Sequence, residues 1–222
     1  MTSPRTKDDP ALADRAQTLL DWTKVNATAL TAGAIVVVIA AAGYWFVMRS
    51  REIRETNADK ALTTAKQSMV AGNLALAQSD LQKVYSQYGN TLPGVEAAVS
   101  LAQIDYDSGK IQDGISLLEK VAGSGAASPV ETSVRSLVGD GYMQMNKPAD
   151  AAKAYESAAA TTAYDNEKAS ETAKAARAYQ AAGDTVRARE IWAALANDSK
   201  AETLGAEARV RLGELTARVA TK

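Results

Sequence analysis

The chain has 222 residues, of which 25 are Lys or Arg and 26 are Asp or Glu, for a formal net charge of −1. So even a balance excludes the basic excess that a nucleic-acid backbone demands of its partner. Cysteine and histidine are both absent, which excludes disulfides, thiolate chemistry, zinc sites built on Cys or His, His-ligated haem, and any catalytic dyad or triad using either residue. With 46 % apolar residues, abundant alanine and only 5 prolines, the composition predicts an all-α protein with a sizeable core, and no enzyme.

In chain order, the first element is a tail over 1–28. Its charges cancel: Arg5, Lys7, Arg15 and Lys24 stand against Asp8, Asp9, Asp14 and Asp21. Thr2 to Pro10 is polar, while Leu12, Ala16, Leu19 and Leu20 fall at helical spacing, so Ala11 to Asn26 predicts a short amphipathic helix lying along a membrane surface. Residues 29–48, Ala29 to Met48, follow without a charge. Twenty residues at about 1.5 Å rise span about 30 Å, the hydrocarbon thickness of a bilayer. Trp22 before the run and Tyr44 with Trp45 at its end match the interfacial positions of amphipathic rings. A cleaved signal peptide is the competing reading, since Ala40-Ala41-Ala42 offers a small-residue site. The long preceding tail and the apolar residues continuing past that site favour an uncleaved anchor. Arg49, Arg51, Arg54, Lys60 and Lys66 after the span outnumber Arg15 and Lys24 before it, which favours the carboxyl side in the cytoplasm; long domains escape that rule. A helical connector over 49–57 has no breaker, so the helix is expected to run on to Ala71, making one rod with the first repeat helix.

Residues 58–222 carry a repeat. Gly72, Gly109, Asn146 and Gly183 recur every 37 residues, and glycine and asparagine tolerate the left-handed conformation that closes a helix. Five positions beyond each stands a small residue (Ala77, Gly114, Ala151, Ala188). Four further comes a large one (Leu81, Leu118, Tyr155, Trp192), and three further again Val84, Val121, Ala158 or Leu195. That spacing makes one helical face. A second small set, Ala65, Ala102, Gly139 and Ala176, precedes the turns by seven, and Tyr142 and Tyr179 precede them by four. Leu212-Gly213 repeats the first-helix signature without a partner, as a capping helix would. The prediction is an α/α solenoid of about four helix-turn-helix units plus a cap.

This arrangement resembles the tetratricopeptide repeat, stretched from about 34 residues. It departs from that pattern at Ser68, and at Asp105 with Tyr106 displaced by one. Together with Asp21-Trp22-Thr23-Lys24-Val25-Asn26, the span and its closing Gly43-Tyr44-Trp45, the chain resembles the bacterial ancillary SecYEG translocon subunits. That resemblance implies a single-pass inner-membrane protein with a periplasmic repeat domain. It implies the translocon, periplasmic chaperones or secreted clients as partners, against the orientation the charge count favours.

In a solenoid the first helices line one concave face. Met69, Tyr106, Met143 and Gln180 stand three before each turn, and Lys66, Gln103, Asp140 and Arg177 six before it. One reading is a peptide groove with a mostly apolar ladder beside polar and charged residues, methionine suiting promiscuous contact; the other is that these side chains pack between repeats. The repeated Lys and Asn pattern that clamps a carboxyl terminus is missing. No catalytic, cofactor or metal residue is selected. Asp105-Tyr106-Asp107-Ser108-Gly109 resembles a calcium-loop start, but Ser116 stands where the bidentate acid belongs. Gly123-Ser124-Gly125 has no strand before it and no phosphate-binding pattern after it, and Glu167, Glu171 and Lys174 read as a solvated helix face. The expected function is a membrane-anchored protein-interaction scaffold, envelope-facing and tied to translocation or chaperone traffic. The alternatives are a cytoplasm-facing scaffold recruiting a soluble partner, or a tethered holdase chaperone.

Overall fold

A computed structural model describes residues 22, 25–198 and 202–220. The expected amphipathic segment lies outside the described residues apart from Trp22, Val25 and Asn26. All regular structure among the described residues is helical, and the chain divides into two compact units between Ile53 and Arg54.

Helix α1 (Ala27–Val70) contributes its first part to the amino-terminal unit. Ser50 is helical like its neighbours. The apolar side chains of this part are solvent-facing: Ile35 is 59 % exposed, Trp45 66 % and Phe46 69 %. A helix this long and apolar has the length and composition to cross a membrane.

Among its described residues the second unit holds the remainder of α1, a 3-10 turn at Ser128–Val130 and eight further α-helices: α2 (Leu74–Tyr88), α3 (Leu92–Asp107), α4 (Ile111–Val121), α5 (Glu131–Gln144), α6 (Pro148–Thr161), α7 (Asp165–Ala181), α8 (Thr185–Asn197) and α9 (Glu202–Ala220). They alternate as first and second helices of a repeat. The hinge of each pair is the position picked out by the period: Gly72, Gly109, Asn146 and Gly183 have φ of 77°, 78°, 55° and 84°. At every one the turn residue's N–H donates three residues back and the next N–H five back. Asn73 N bonds Ser68 O at 3.0 Å, Lys110 N bonds Asp105 O at 2.7 Å, Lys147 N bonds Tyr142 O at 2.8 Å and Asp184 N bonds Tyr179 O at 3.0 Å. These are four copies of one helix-closing motif. Asp105–Gly109, with its likeness to a calcium loop, is the second copy. The next helix then starts on a side-chain cap at the two outer units, where Asn73 accepts from Leu76 N and Asp184 from Arg187 N. The inner units have Lys110 and Lys147 at that place and carry Asp113 or Asp150 in the first turn instead, where negative charge offsets the helix dipole.

Every member of the small and large sets is buried. Ala77, Leu81, Ala151, Ala188, Leu118 and Trp192 are fully enclosed, and Gly114 and Gly139 join them. Gly114 and Gly139 explain why some units need no side chain at all. A Cβ on Gly139 would stand 2.5 Å from Tyr155 Cε1, and one on Gly114 would stand 2.6 Å from Tyr106 Cε1. The large residue therefore lies flat on the opposing backbone. Gly213 occupies the register of Ala65 and Ala102 but is exposed, because no second helix packs on it among the described residues; Ala208 and Leu215 anchor α9 instead.

Candidate protein-binding face

The first helices share one face, and contacts between successive first helices define it. Lys66 Nζ on α1 bonds Glu96 Oε2 on α3 at 2.8 Å. Arg177 on α7 grips Glu207 on α9 with two bonds, Nε to Oε1 at 3.1 Å and Nη2 to Oε2 at 2.7 Å. Both pairs join residues 30 apart in the same register. In the two rungs between them, that register places Gln103 with Ser133 and Asp140 with Ser170. The face is thus clasped by ion pairs at its ends, and its middle has no such clasp among the described residues. Arg177 holds the Glu207 carboxyl below its ordinary range, the hydrogen bond outweighing partial burial.

Of the eight residues predicted along this face, the structure divides the labour. Gln103 and Met143 are exposed, Met143 at 39 %. Lys66 and Arg177 are engaged in the clasps, and the Arg177 guanidinium also lies 5.8 Å from the Trp192 ring centre. Met69 packs against the cluster of Leu62, Leu81 and Leu101. Tyr106 is buried, its hydroxyl donating to Leu137 O at 3.0 Å. Gln180 accepts the Trp192 indole N–H at 2.8 Å. Asp140 accepts the Tyr155 hydroxyl at 2.6 Å. Burial, reinforced by the neighbouring carboxylates, pushes the Tyr106 and Tyr155 hydroxyls well above the usual tyrosine range.

Two roles were missed in the sequence. Tyr142 and Tyr179 are latches, each donating to a glutamate of the preceding unit's second helix: Tyr142 to Glu119 at 3.0 Å, Tyr179 to Glu156 at 2.9 Å. The constant step of 23 residues between glutamate and tyrosine was the available signal. The other is Glu171, which reads as solvated in sequence but is buried. Its Oε1 accepts from Lys174 at 2.9 Å, Lys174 also bonds Ser136 Oγ at 2.6 Å, and Glu171 Oε2 has no partner. Its register holds Ala97, Val134 and Ala208, all fully buried, but also the exposed Lys60 of the first unit, so the period gave a mixed signal for burial there.

Among the described residues no three acidic side chains converge as a metal site requires. The fold and this face define a helical-repeat scaffold, a class whose stacked helices present extended surfaces for binding other proteins. The sequence pattern of the tetratricopeptide repeat-like domain matches residues 53–173, and the chain belongs to that family. No curated protein matches it. Among solved structures it is similar to a kinesin light chain of nearly identical TPR-like repeats from Podosopora anserina, with 17 % identity, a TM-score of 0.51, and coverage of 75 % of this chain and 95 % of that one. It is likewise similar to pilF of Pseudomonas aeruginosa, with 14 % identity, a TM-score of 0.50, and coverage of 73 % and 74 %. These likenesses establish the fold.

Proposed function

We propose that the protein is a membrane-anchored scaffold in the bacterial inner membrane whose repeats present the first-helix face to other polypeptides outside the cytoplasm, in the service of translocation or chaperone traffic. The observation that carries this reading is the pairing of a solvent-facing apolar helix with a repeat array whose first-helix face has ion-pair clasps at its ends and none in its middle among the described residues. The anchor, 29–48, raises the local concentration of the face at the bilayer, so that individually weak contacts suffice there. The repeat domain, 58–222, supplies the contacts. Within it the polypeptide lies over the middle rungs, on Gln103, Met143, Asp140 and the neighbouring Ser133. Lys66 and Arg177 frame that stretch, while Met69, Tyr106 and Gln180 hold its backing in place. The translocon and its chaperones as partners rest on the resemblance of tail and span, and on nothing in the repeats.

A photo-crosslinking residue at position 103 or 143 of the full chain, in cells, tests the face. Adducts at these positions and none at exposed positions of α2 are expected; the reverse would overturn it. A topology reporter fused after Lys222 tests the side. An export-dependent enzyme should be active there. The Lys and Arg excess after the span favours a second reading, a scaffold facing the cytoplasm, and fluorescence of a cytoplasm-dependent reporter would establish that one instead.

A further inference from the structure

Two joints of the array, one step of 37 residues apart, handle the same latch differently. At the later one Glu156 uses both carboxylate oxygens, Oε2 for the Tyr179 hydroxyl at 2.9 Å and Oε1 for Arg187 Nη2 at 2.9 Å. Arg187 also reaches Glu190 at 3.2 Å, and these carboxylates, Glu156 first, raise its already high pKa. At the earlier joint Tyr142 donates to Glu119 Oε1, but the register of Arg187 is held by Asp150 and that of Glu190 by Lys153. The cation has become an anion. The second oxygen of Glu119 and the Asp150 carboxylate then have no ion-pair partner among the described residues.

Where Arg187 and Ile191 fill the later joint, the earlier one has Asp150 and the smaller Ala154, and the surface opens into a cavity of about 330 Å³. Glu119, Tyr142 and Asp150 line it together with Val138, Ala122 and Ala154. Arg135 also lines it but is taken up by Glu131 and by Ser157, at 2.9 Å and 3.0 Å. Lys153, an exposed side chain one turn along α6 from Asp150, also lines the cavity, and no ion pair to it occurs among the described residues.

We propose that this cavity receives the guanidinium of an arginine on a partner protein, held between Glu119 and Asp150 beside the Tyr142 hydroxyl, in the place that Arg187 fills at the later joint. A planar fork of donors can bond both carboxylates at once while its flat face rests on the apolar side chains, which a compact ammonium cannot do. The site belongs to the joint between second helices α4 and α6, so it is separate from the face carrying Gln103 and Met143. It rests on the reading of the array as a protein-binding scaffold.

The test is titration of the full chain in detergent micelles with Nα-acetyl-arginine amide, followed by NMR at the Tyr142 ring and the Ala154 methyl. Saturable shifts are expected with a Kd on the order of 1 mM, reasonable for a single side chain. Glu119→Gln and Asp150→Asn should each weaken binding about tenfold, the low end for the loss of one charged hydrogen bond. Lys153→Gln, by removing the local competitor, should strengthen it. Asp150→Arg, recreating the arrangement of Arg187, should abolish it; the two milder variants carry the test if that one does not fold. Absence of saturable shifts, equal affinity for Nα-acetyl-lysine amide, or undiminished binding by folded Asp150→Arg would each overturn the proposal. Because the probe is a free amino-acid derivative, it reports on this cavity even if the crosslinks on the first-helix face fail to form.

Discussion

The joint around Tyr106 and the joint around Tyr155 solve one packing problem with opposite chemistry. Tyr106 lies against Gly114 of its own unit and Gly141 of the next, enclosed by Val95, Ile115, Leu118, Val134 and Val138. Its hydroxyl finds a backbone carbonyl. Tyr155 lies against Gly139, but the buried residues clustered with it are all alanines, Ala151, Ala152, Ala175 and Ala178, with the half-buried Tyr142 and Tyr179 packed against them. Polar groups complete that seam: Asp140 on the hydroxyl, and Lys174 5.6 Å from the ring centre, tied to Glu171 and Ser136. Dispersion and burial hold the first joint. The second depends on every member of a charged network being present, since a buried carboxylate missing its cation is costly. A regular backbone repeat therefore does not imply uniform resistance to opening.

The comparison is best broken at Lys174. Lys174→Met leaves Glu171 buried without its cation, and should destabilise the α6–α7 joint by about 3 kcal/mol, the low end for a buried pair because Lys174 is itself about a third exposed. Faster amide hydrogen exchange in α6 and α7, with α3 and α4 unchanged, would register this. The double variant Glu171→Leu, Lys174→Met should restore most of the loss; if it does not, the network is more than a satisfied pair.

At the apolar joint the corresponding blow is steric. Gly141→Ala puts a Cβ 2.7 Å from Ile115 Cγ1 and into the Tyr106 ring, with an expected cost of about 2 kcal/mol for overpacking, less the helix propensity gained. Exchange protection should fall in α4 and α5 this time. Smaller effects separate the two hydroxyls. Tyr155→Phe deprives a carboxylate of a donor and should cost about 1.5 kcal/mol, whereas Tyr106→Phe removes a bond to a carbonyl and should cost about 0.5 kcal/mol.

Titration sharpens the same contrast. Tyr106 and Tyr155 both have hydroxyl pKa values raised on folding, so their contribution is full below the unfolded value near 10 and fades as pH climbs through the folded one. Tyrosine absorbance should therefore show both ionising only as the array opens. Glu207 has the opposite sign: its depressed pKa gives stability above the unfolded value that is lost as pH falls through the folded one. Both members of that clasp are partly exposed, Arg177 at 43 % and Glu207 at 30 %, so Glu207→Gln should cost only about 0.2–1 kcal/mol and lose its effect in high salt.

The architecture was legible wherever a position's role depended on the backbone alone. Turn residues need positive φ, small residues need close approach, and both demands recur with the period, so Gly72 to Gly183 and the buried sets could be named from spacing. Asn146 was recognisable for the same reason, as the one non-glycine able to take that bend cheaply. What depended on a neighbour's side chain was not legible. Glu171 carries a charge that suggests solvent, and its burial is made tolerable by Lys174 one turn along the same helix, itself held by Ser136 across the joint. On the candidate face the period located Tyr106 and Gln180, but their partners, Leu137 O and the Trp192 indole, lie on other helices and decide that they turn inward. The difference between Asp150 and Arg187 was visible as letters; its meaning emerged only when Glu119 and Glu156 were seen beside them.

The fit of Tyr106 has a consequence for the order of the bricks. Shifting by one step sets Ala151 and Ala178 in the register of Gly114 and Gly141, and a methyl at either place would intrude on the ring. The second brick is therefore keyed to the third and to no other neighbour. Placing any other unit after the second would keep the bends intact and still jam at this lock, so that one junction is fixed by an aromatic ring and a missing methyl group.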